Sequence, residues 1–277
     1  GIIGSARARG RREGYESPFG AIAPLIHSAD LGFANLEFPV GRPEWVRDGR
    51  SREFWHDVEV CEGLARAGIR VVSLANNHTM DCGREGLVET LRTCAAAGLE
   101  TIGAGLDLDA ARRPVRLQVR DMRTVWLAYG QATSGIAGSK RPGIAPLTEE
   151  IVREDLGHWK GEADVLIVSA HWGSMYVDYP PPRVTRLARL MSEWGADIIL
   201  GHHPHVLQGV GRIGRTVVAY SLGDIAFNCR AGYFHAQVAA EVERDFREAR
   251  ALRKQRGAQQ RRGEGFVADR DLFRTTD

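Results

Sequence analysis

Histidine placement is the sharpest chemical signal in this chain. Of its nine histidines, five (His78, His171, His202, His203 and His205) fall just after apolar, β-branched runs that read as strands. Neutral imidazole is the commonest protein metal ligand, and ligand sites in α/β folds gather at the carboxyl ends of strands. The run Gly201-His202-His203-Pro204-His205 holds three of these rings in four positions. Pro204 fixes the backbone between His203 and His205, so the pair on an irregular loop can converge on one or two metals. The bland alternatives are a chance polar loop or an expression tag, and an internal position after an apolar strand argues against a tag.

Three further segments supply other donor types. Ser73-Leu74-Ala75-Asn76-Asn77-His78-Thr79-Met80-Asp81 delivers two amides, an imidazole and a carboxylate within six residues. An amide oxygen can ligate a hard or borderline cation, and a nearby non-ligand histidine can stabilise charge or donate a proton. An Asn-rich turn capping the next helix is the competing reading. Ile167-Val168-Ser169-Ala170-His171-Trp172-Gly173 carries one histidine, which by itself is more often a satisfied core residue. In Ala34-Asn35-Leu36-Glu37, Glu37 could bridge two cations, though alone it reads as an exposed loop acid. Together, one acid, one Asn and several His on separate strand ends suit a two-metal site. Two cations about 4 Å apart can activate a bridging hydroxide and clamp a phosphoryl group. This ligand mix suits Mn, Fe or Zn rather than Ca.

The elements that must position these groups are legible in outline. Strands are expected at 31–36, 69–74, 123–129, 163–169, 196–200 and 216–221. Helices are expected at 21–29, 57–68, 83–97 and 183–194, with Gly98 as a C-terminal stop. The alternation implies an α/β architecture with buried sheets. Residues 1–235 read as one domain. Residues 236–277 read as a charged C-terminal helix, near 236–256, and a flexible Gly/Gln/Arg-rich tail.

The chain has 277 residues with 43% apolar and 26% charged content, enough to bury a sizeable core. A net charge of +2 gives no global field for nucleic acid or an anionic membrane. The cysteines Cys61, Cys82, Cys94 and Cys229 form no C-x-x-C pair, and reduced, buried thiols are expected. No apolar run approaches the roughly 20 residues of a membrane helix. The chain opens at Gly1. Near a true start this would mean a cytoplasmic protein, whereas an upstream signal or anchor would place it at the cell envelope.

Taken in order, these segments resemble the CapA (poly-γ-glutamate capsule-synthesis) family, a branch of the calcineurin-like metallophosphoesterases. The matching text is Asn35-Leu36-Glu37; Ala75-Asn76-Asn77-His78 with Asp81 and Gly83; His171-Trp172-Gly173; Gly201-His202-His203-Pro204-His205-Val206-Leu207-Gln208; and Tyr220-Ser221-Leu222-Gly223. It covers roughly residues 17–228. Gly-His-His-Pro-His-Val is the specific part, and Asn-Leu-Glu alone is not. The resemblance implies a four-layer αββα sandwich of the calcineurin-like metallophosphatase type with two divalent ions at the strand ends. It makes Glu37, Asn77, His171, His203 and His205 the metal ligands, with His202 as a substitute for His203. His78, facing the leaving oxygen, and Asp81 become the catalytic pair.

Three departures stand against the family pattern. The family opens on a Gly-Asp strand whose Asp binds metal, whereas this chain opens Gly1-Ile2-Ile3-Gly4 and its first acid is Glu13. Met175 stands where an acid often follows His-Trp-Gly, and Asp224 stands where Asn is usual. The resemblance thus implies a metal-dependent hydrolase of phosphoester or anionic polymer substrates in capsule or envelope polymer synthesis. The alternative is a catalytically impaired relative that binds a polymer or a protein partner.

Overall fold

A computed structural model describes residues 13–15, 19–20, 22–48, 54–132 and 134–224. The opening segment, where the resemblance expects an extra strand, lies outside the described residues. So do Cys229 and the expected helix and tail at 236–277.

Two sheets face each other. The smaller is wholly parallel, in the order β1 (Gly32–Asn35), β2 (Ile69–Ser73), β3 (Glu100–Ile102). The larger has six strands. Its parallel centre is β6 (Met122–Gly130), β8 (Val165–His171), β9 (Ile198–His202) and β11 (Thr216–Ala219), flanked by antiparallel β5 (Val115–Val119) and β10 (Val210–Ile213). A short ribbon of β4 (Ala104–Gly105) and β7 (Gly143–Ile144) joins their edges. Strands β6 and β8 are buried almost throughout, as expected of parallel strands covered on both faces.

Between the sheets, Val71 and Ile102 pack against Trp126, Ala128 and Ile167, and Phe33 stacks on Trp126 at 5.6 Å. Outside the small sheet lie α1 (Ala23–Ser28), α2 (Glu59–Arg66) and α3 (Gly83–Ala96), whose Val60, Leu64 and Leu87 cover Val72 and Leu74. Outside the large sheet lie α4 (Leu108–Arg112), α5 (Glu149–Trp159) and α6 (Pro182–Trp194), with Val152, Leu156, Ala188 and Met191 on Leu127, Val168 and Ile199. The result is the four-layer αββα sandwich.

Most expected elements are present within one or two residues of their expected limits. Helix α5 was not anticipated. Thr148 caps it, its side chain accepting from the Ile151 N–H, a contribution of about 1 kcal/mol. Two leading glutamates and a mid-helix glycine blur its apolar spacing. Cys61 and Cys94 are buried free thiols, with sulfurs 3.5 Å apart.

Candidate metal centre

Parallel pairing decides which loops meet. In β1 and β2, Asn35 lies opposite Ser73; in β6, β8 and β9, Gly130 lies opposite His171 and His171 opposite His202. All five strands therefore end at one edge of the sandwich. Each end delivers a polar side chain there because the chain turns polar where the sheet stops.

Glu37 follows β1 and is fully buried. The Asn35 side-chain amide donates to its Oε2, and its Oε1 lies 3.4 Å from His171 Nε2. Asn76 ties the second loop to the first. Its amide donates to the Leu36 carbonyl at 2.8 Å and to Asn35 Oδ1 at 3.3 Å, while its Oδ1 accepts from the His78 N–H and the Thr79 hydroxyl. That clamp presents Asn77, whose Oδ1 is 2.8 Å from His171 Nε2.

The third loop reaches the site through unusual backbone. His203 has φ of 98° and His205 φ of 59°, left-handed conformations that carry strain and cluster at functional sites. Strand β9 is also pressed close to its neighbour. A Cβ on Gly201 would sit 1.9 Å from the Tyr220 carbonyl oxygen, so only glycine fits before the histidines. The outcome is one cluster: Glu37, His171 and His203 each offer a donor atom, all within 4.8 Å of one another. The His171 and His203 ring centroids are 4.8 Å apart, and those of His203 and His205 5.9 Å. His205 adjoins the cluster without being one of its three donors. Its Nδ1 is 3.2 Å from each carboxylate oxygen of Asp224, an arrangement that orients a ring toward a metal in many proteins.

His202 turns the other way. Its ring lies 5.6 Å from Phe33 in the layer between the sheets, and its Nε2 has no hydrogen-bond partner among the described residues. The geometry selects His203 over His202 for the cluster.

Beside the cluster, His78 Nδ1 is 2.7 Å from Asp81 Oδ2. Phe38 and Phe54 meet the His78 ring edge-on at 4.8 and 5.1 Å. Asp81 is completely buried and fixes the orientation of His78.

Two observations show that this donor set fits a cation. Glu37 Oε1 and His171 Nδ1 are buried without hydrogen-bond partners among the described residues, and such atoms are rare unless a ligand completes them. Burial, then the neighbouring His203, His202, His205 and His78, hold the His171 ring well below the usual histidine range, so it stays neutral as a ligand must. Carboxylate, imidazole and amide oxygen together suit a divalent transition metal.

All seven sequence-predicted residues lie in or beside this region. Glu37, His171 and His203 converge, Asn77 is bonded to His171, His205 stands behind His203, and His78 pairs with Asp81. Sequence reasoning missed the supporting roles of Asn35, Asn76 and Asp224. For the first two, the only available signal was their proximity to Glu37 and Asn77. Asp224 stood out as an unusual residue with no assigned task.

The profile of the family described as "Bacterial capsule synthesis protein PGA_cap" matches residues 2–229. Among curated relatives, "PGA biosynthesis protein CapA" of Bacillus subtilis (strain 168) is 34% identical over 78% of this chain and 58% of its own length. "Capsule biosynthesis protein CapA" of Bacillus anthracis is 30% identical over 86% of this chain and 59% of its own. This chain thus spans somewhat more than half the length of these relatives. A solved structure of a hypothetical protein from Thermus thermophilus aligns with a TM-score of 0.49 at 18% identity, over 76% of this chain and 72% of that one, a likeness too slight to bear on the chemistry. The profile match and the two relatives place this chain in the bacterial capsule synthesis PGA_cap family.

Proposed function

We propose that this chain is a metal-dependent hydrolase with phosphoesterase-type chemistry, serving the synthesis of a capsule or poly-γ-glutamate polymer. The observation that carries the reading is the cluster of buried Glu37 and His171 with half-buried His203, in which two polar atoms have no hydrogen-bond partner among the described residues. The polymer assignment rests on the names of the two Bacillus relatives.

In this reading Glu37, His171 and His203 hold a divalent ion, with Asn77 and His205 adding to its shell. When bound, such an ion supplies Lewis acidity toward a phosphoryl oxygen and makes water a usable nucleophile at neutral pH. The remaining work belongs to the chain. Asp81 accepts a hydrogen bond from the His78 Nδ1–H, which turns Nε2 toward a leaving oxygen, where a proton carried on that nitrogen can be donated. Phe38 and Phe54 keep that ring in place, and Asn76 holds the loop carrying Asn77 and His78 against the Glu37 loop.

A second reading, a binding module without turnover, is favoured by one observation: of the His, Cys, Asp and Glu side chains among the described residues, three converge within 4.8 Å. Metal analysis and turnover of aryl phosphomonoesters and phosphodiesters separate the two. The hydrolase predicts bound metal and turnover that both fall in His171→Ala. It also predicts that His78→Ala keeps metal and loses roughly 10²- to 10⁴-fold in rate. Full metal content in His171→Ala would refute the centre, and metal without turnover would favour the binding module.

A further inference from the structure

Two adjoining cavities lead away from the centre. The inner one, about 380 Å³, reaches Asn76 and Asn77, and Asn77 is in contact with His171. The outer one, about 750 Å³, shares Arg47, Met80, Ser134 and Gly135 with the first and extends to Arg84 and Arg141. The two form one groove that starts at Asn77, which touches His171 of the cluster, and runs past Arg47 to Arg84 and Arg141.

Three segments distant in sequence each send an arginine to this groove. Arg47 follows the 3₁₀ turn Pro43–Trp45 and is tied to the catalytic loop, its backbone N–H donating to the Asp81 carbonyl at 2.8 Å. Arg84 stands in the first turn of α3. Arg141 precedes β7, and its Nε donates to the Ile136 carbonyl at 3.1 Å, which leaves the end of its guanidinium for another acceptor. All three are exposed.

Among the described residues none of these three guanidinium groups is paired with a carboxylate, although Asp48 and Glu85 line the same groove. Elsewhere Arg112, Arg123 and Arg186 each close on a carboxylate within 4 Å. Three guanidinium groups against two carboxylates leave the lining net positive. A guanidinium fork matches a phosphate or carboxylate with two parallel hydrogen bonds.

We propose that this groove is an anion subsite. It holds phosphate or carboxylate groups of an extended ligand whose reacting group sits at the cluster. The last clause rests on the proposed function; the anion binding itself does not.

The test measures binding of a short labelled oligoglutamate and of tripolyphosphate by the full chain, with a neutral oligosaccharide as control. Preference between the two anions identifies carboxylate or phosphate as the natural source. The expected result is binding that weakens as salt screens the arginines. It should fall about tenfold or more in Arg47→Gln/Arg84→Gln/Arg141→Gln, with metal content unchanged. His203→Ala should lose metal and keep anion binding, so failure of the metal centre and failure of the groove are read separately. Equal anion binding by the triple variant and the parent, or equal binding of the neutral control, would overturn the subsite.

Discussion

Two buried polar clusters, one on the outer face of the large sheet and one at the strand ends, are built on opposite principles. On the outer face, Arg112 clasps Asp155 through Nε and a terminal nitrogen and reaches Glu154 at 2.7 Å, while the Tyr129 hydroxyl donates to Asp155 at 2.9 Å. Both Asp155 oxygens are used. Burial, then Asp155, pushes the Tyr129 hydroxyl well above the usual range, which keeps it a donor. At the strand ends, Glu37 and His171 are equally buried, but each keeps an atom with no hydrogen-bond partner among the described residues. A satisfied network stabilises a fold; an unsatisfied one costs stability and persists where a ligand completes it.

The largest effect expected from this contrast is on the satisfied side. Asp155→Ala strands the Arg112 guanidinium and the Tyr129 hydroxyl, and should cost about 3 kcal/mol of stability. Metal content in the folded fraction should stay unchanged. Denaturant unfolding of the variant checks the first expectation and elemental analysis the second. A loss under about 1 kcal/mol would place Asp155 outside the structural role assigned here.

The smaller effect belongs to the unsatisfied side. Glu37→Gln should sharply lower bound divalent metal, because it removes the one carboxylate of the cluster. Stability of the metal-free protein should change by less than about 1 kcal/mol, or rise, since Glu37 Oε1 has no hydrogen-bond partner among the described residues. A large drop in metal-free stability would mean that Glu37 is structural, as Asp155 is, and the contrast would fail.

How much of this was legible depended on where each residue lay. Central strands β2, β6, β8 and β9 announce themselves, because burial on both faces demands continuous apolar runs. Three of the edge strands do not. Val115–Val119 is half exposed, Val210–Ile213 is largely exposed and glycine-containing, and Glu100–Ile102 has only three residues. Their pairing is set by neighbours rather than composition. The donors were readable because histidine and glutamate are unusual at the end of an apolar strand. Asn35, Asn76 and Asp224 were not, since Asn and Asp mark ordinary turns just as often. The partners of Asn76 and Asp224 become visible only when loops far apart in sequence meet.

His202 offers the finest test, because it is buried like Glu37 and His171 yet faces the core between the sheets. Burial lowers its pKa from 6.5 to about 3. The unfolded chain therefore binds a proton between those values that the folded chain refuses. With more protons bound when unfolded, stability rises with pH across that window. It is complete above about 6.5 and is lost progressively as pH falls toward 3. In chelator, so that metal linkage does not contribute, His202→Phe should flatten part of this acid slope. The new ring would keep an aromatic contact with Phe33, beside Trp126, and would remove the unpartnered Nε2. Stability at about pH 7 should stay within about 1.5 kcal/mol of the parent, with His171 supplying the acid sensitivity that remains. Denaturant unfolding at a series of pH values reads both quantities. An unchanged acid slope would show that His202 is solvated in the folded protein, and the contrast between core-facing and site-facing histidines would lose its physical basis.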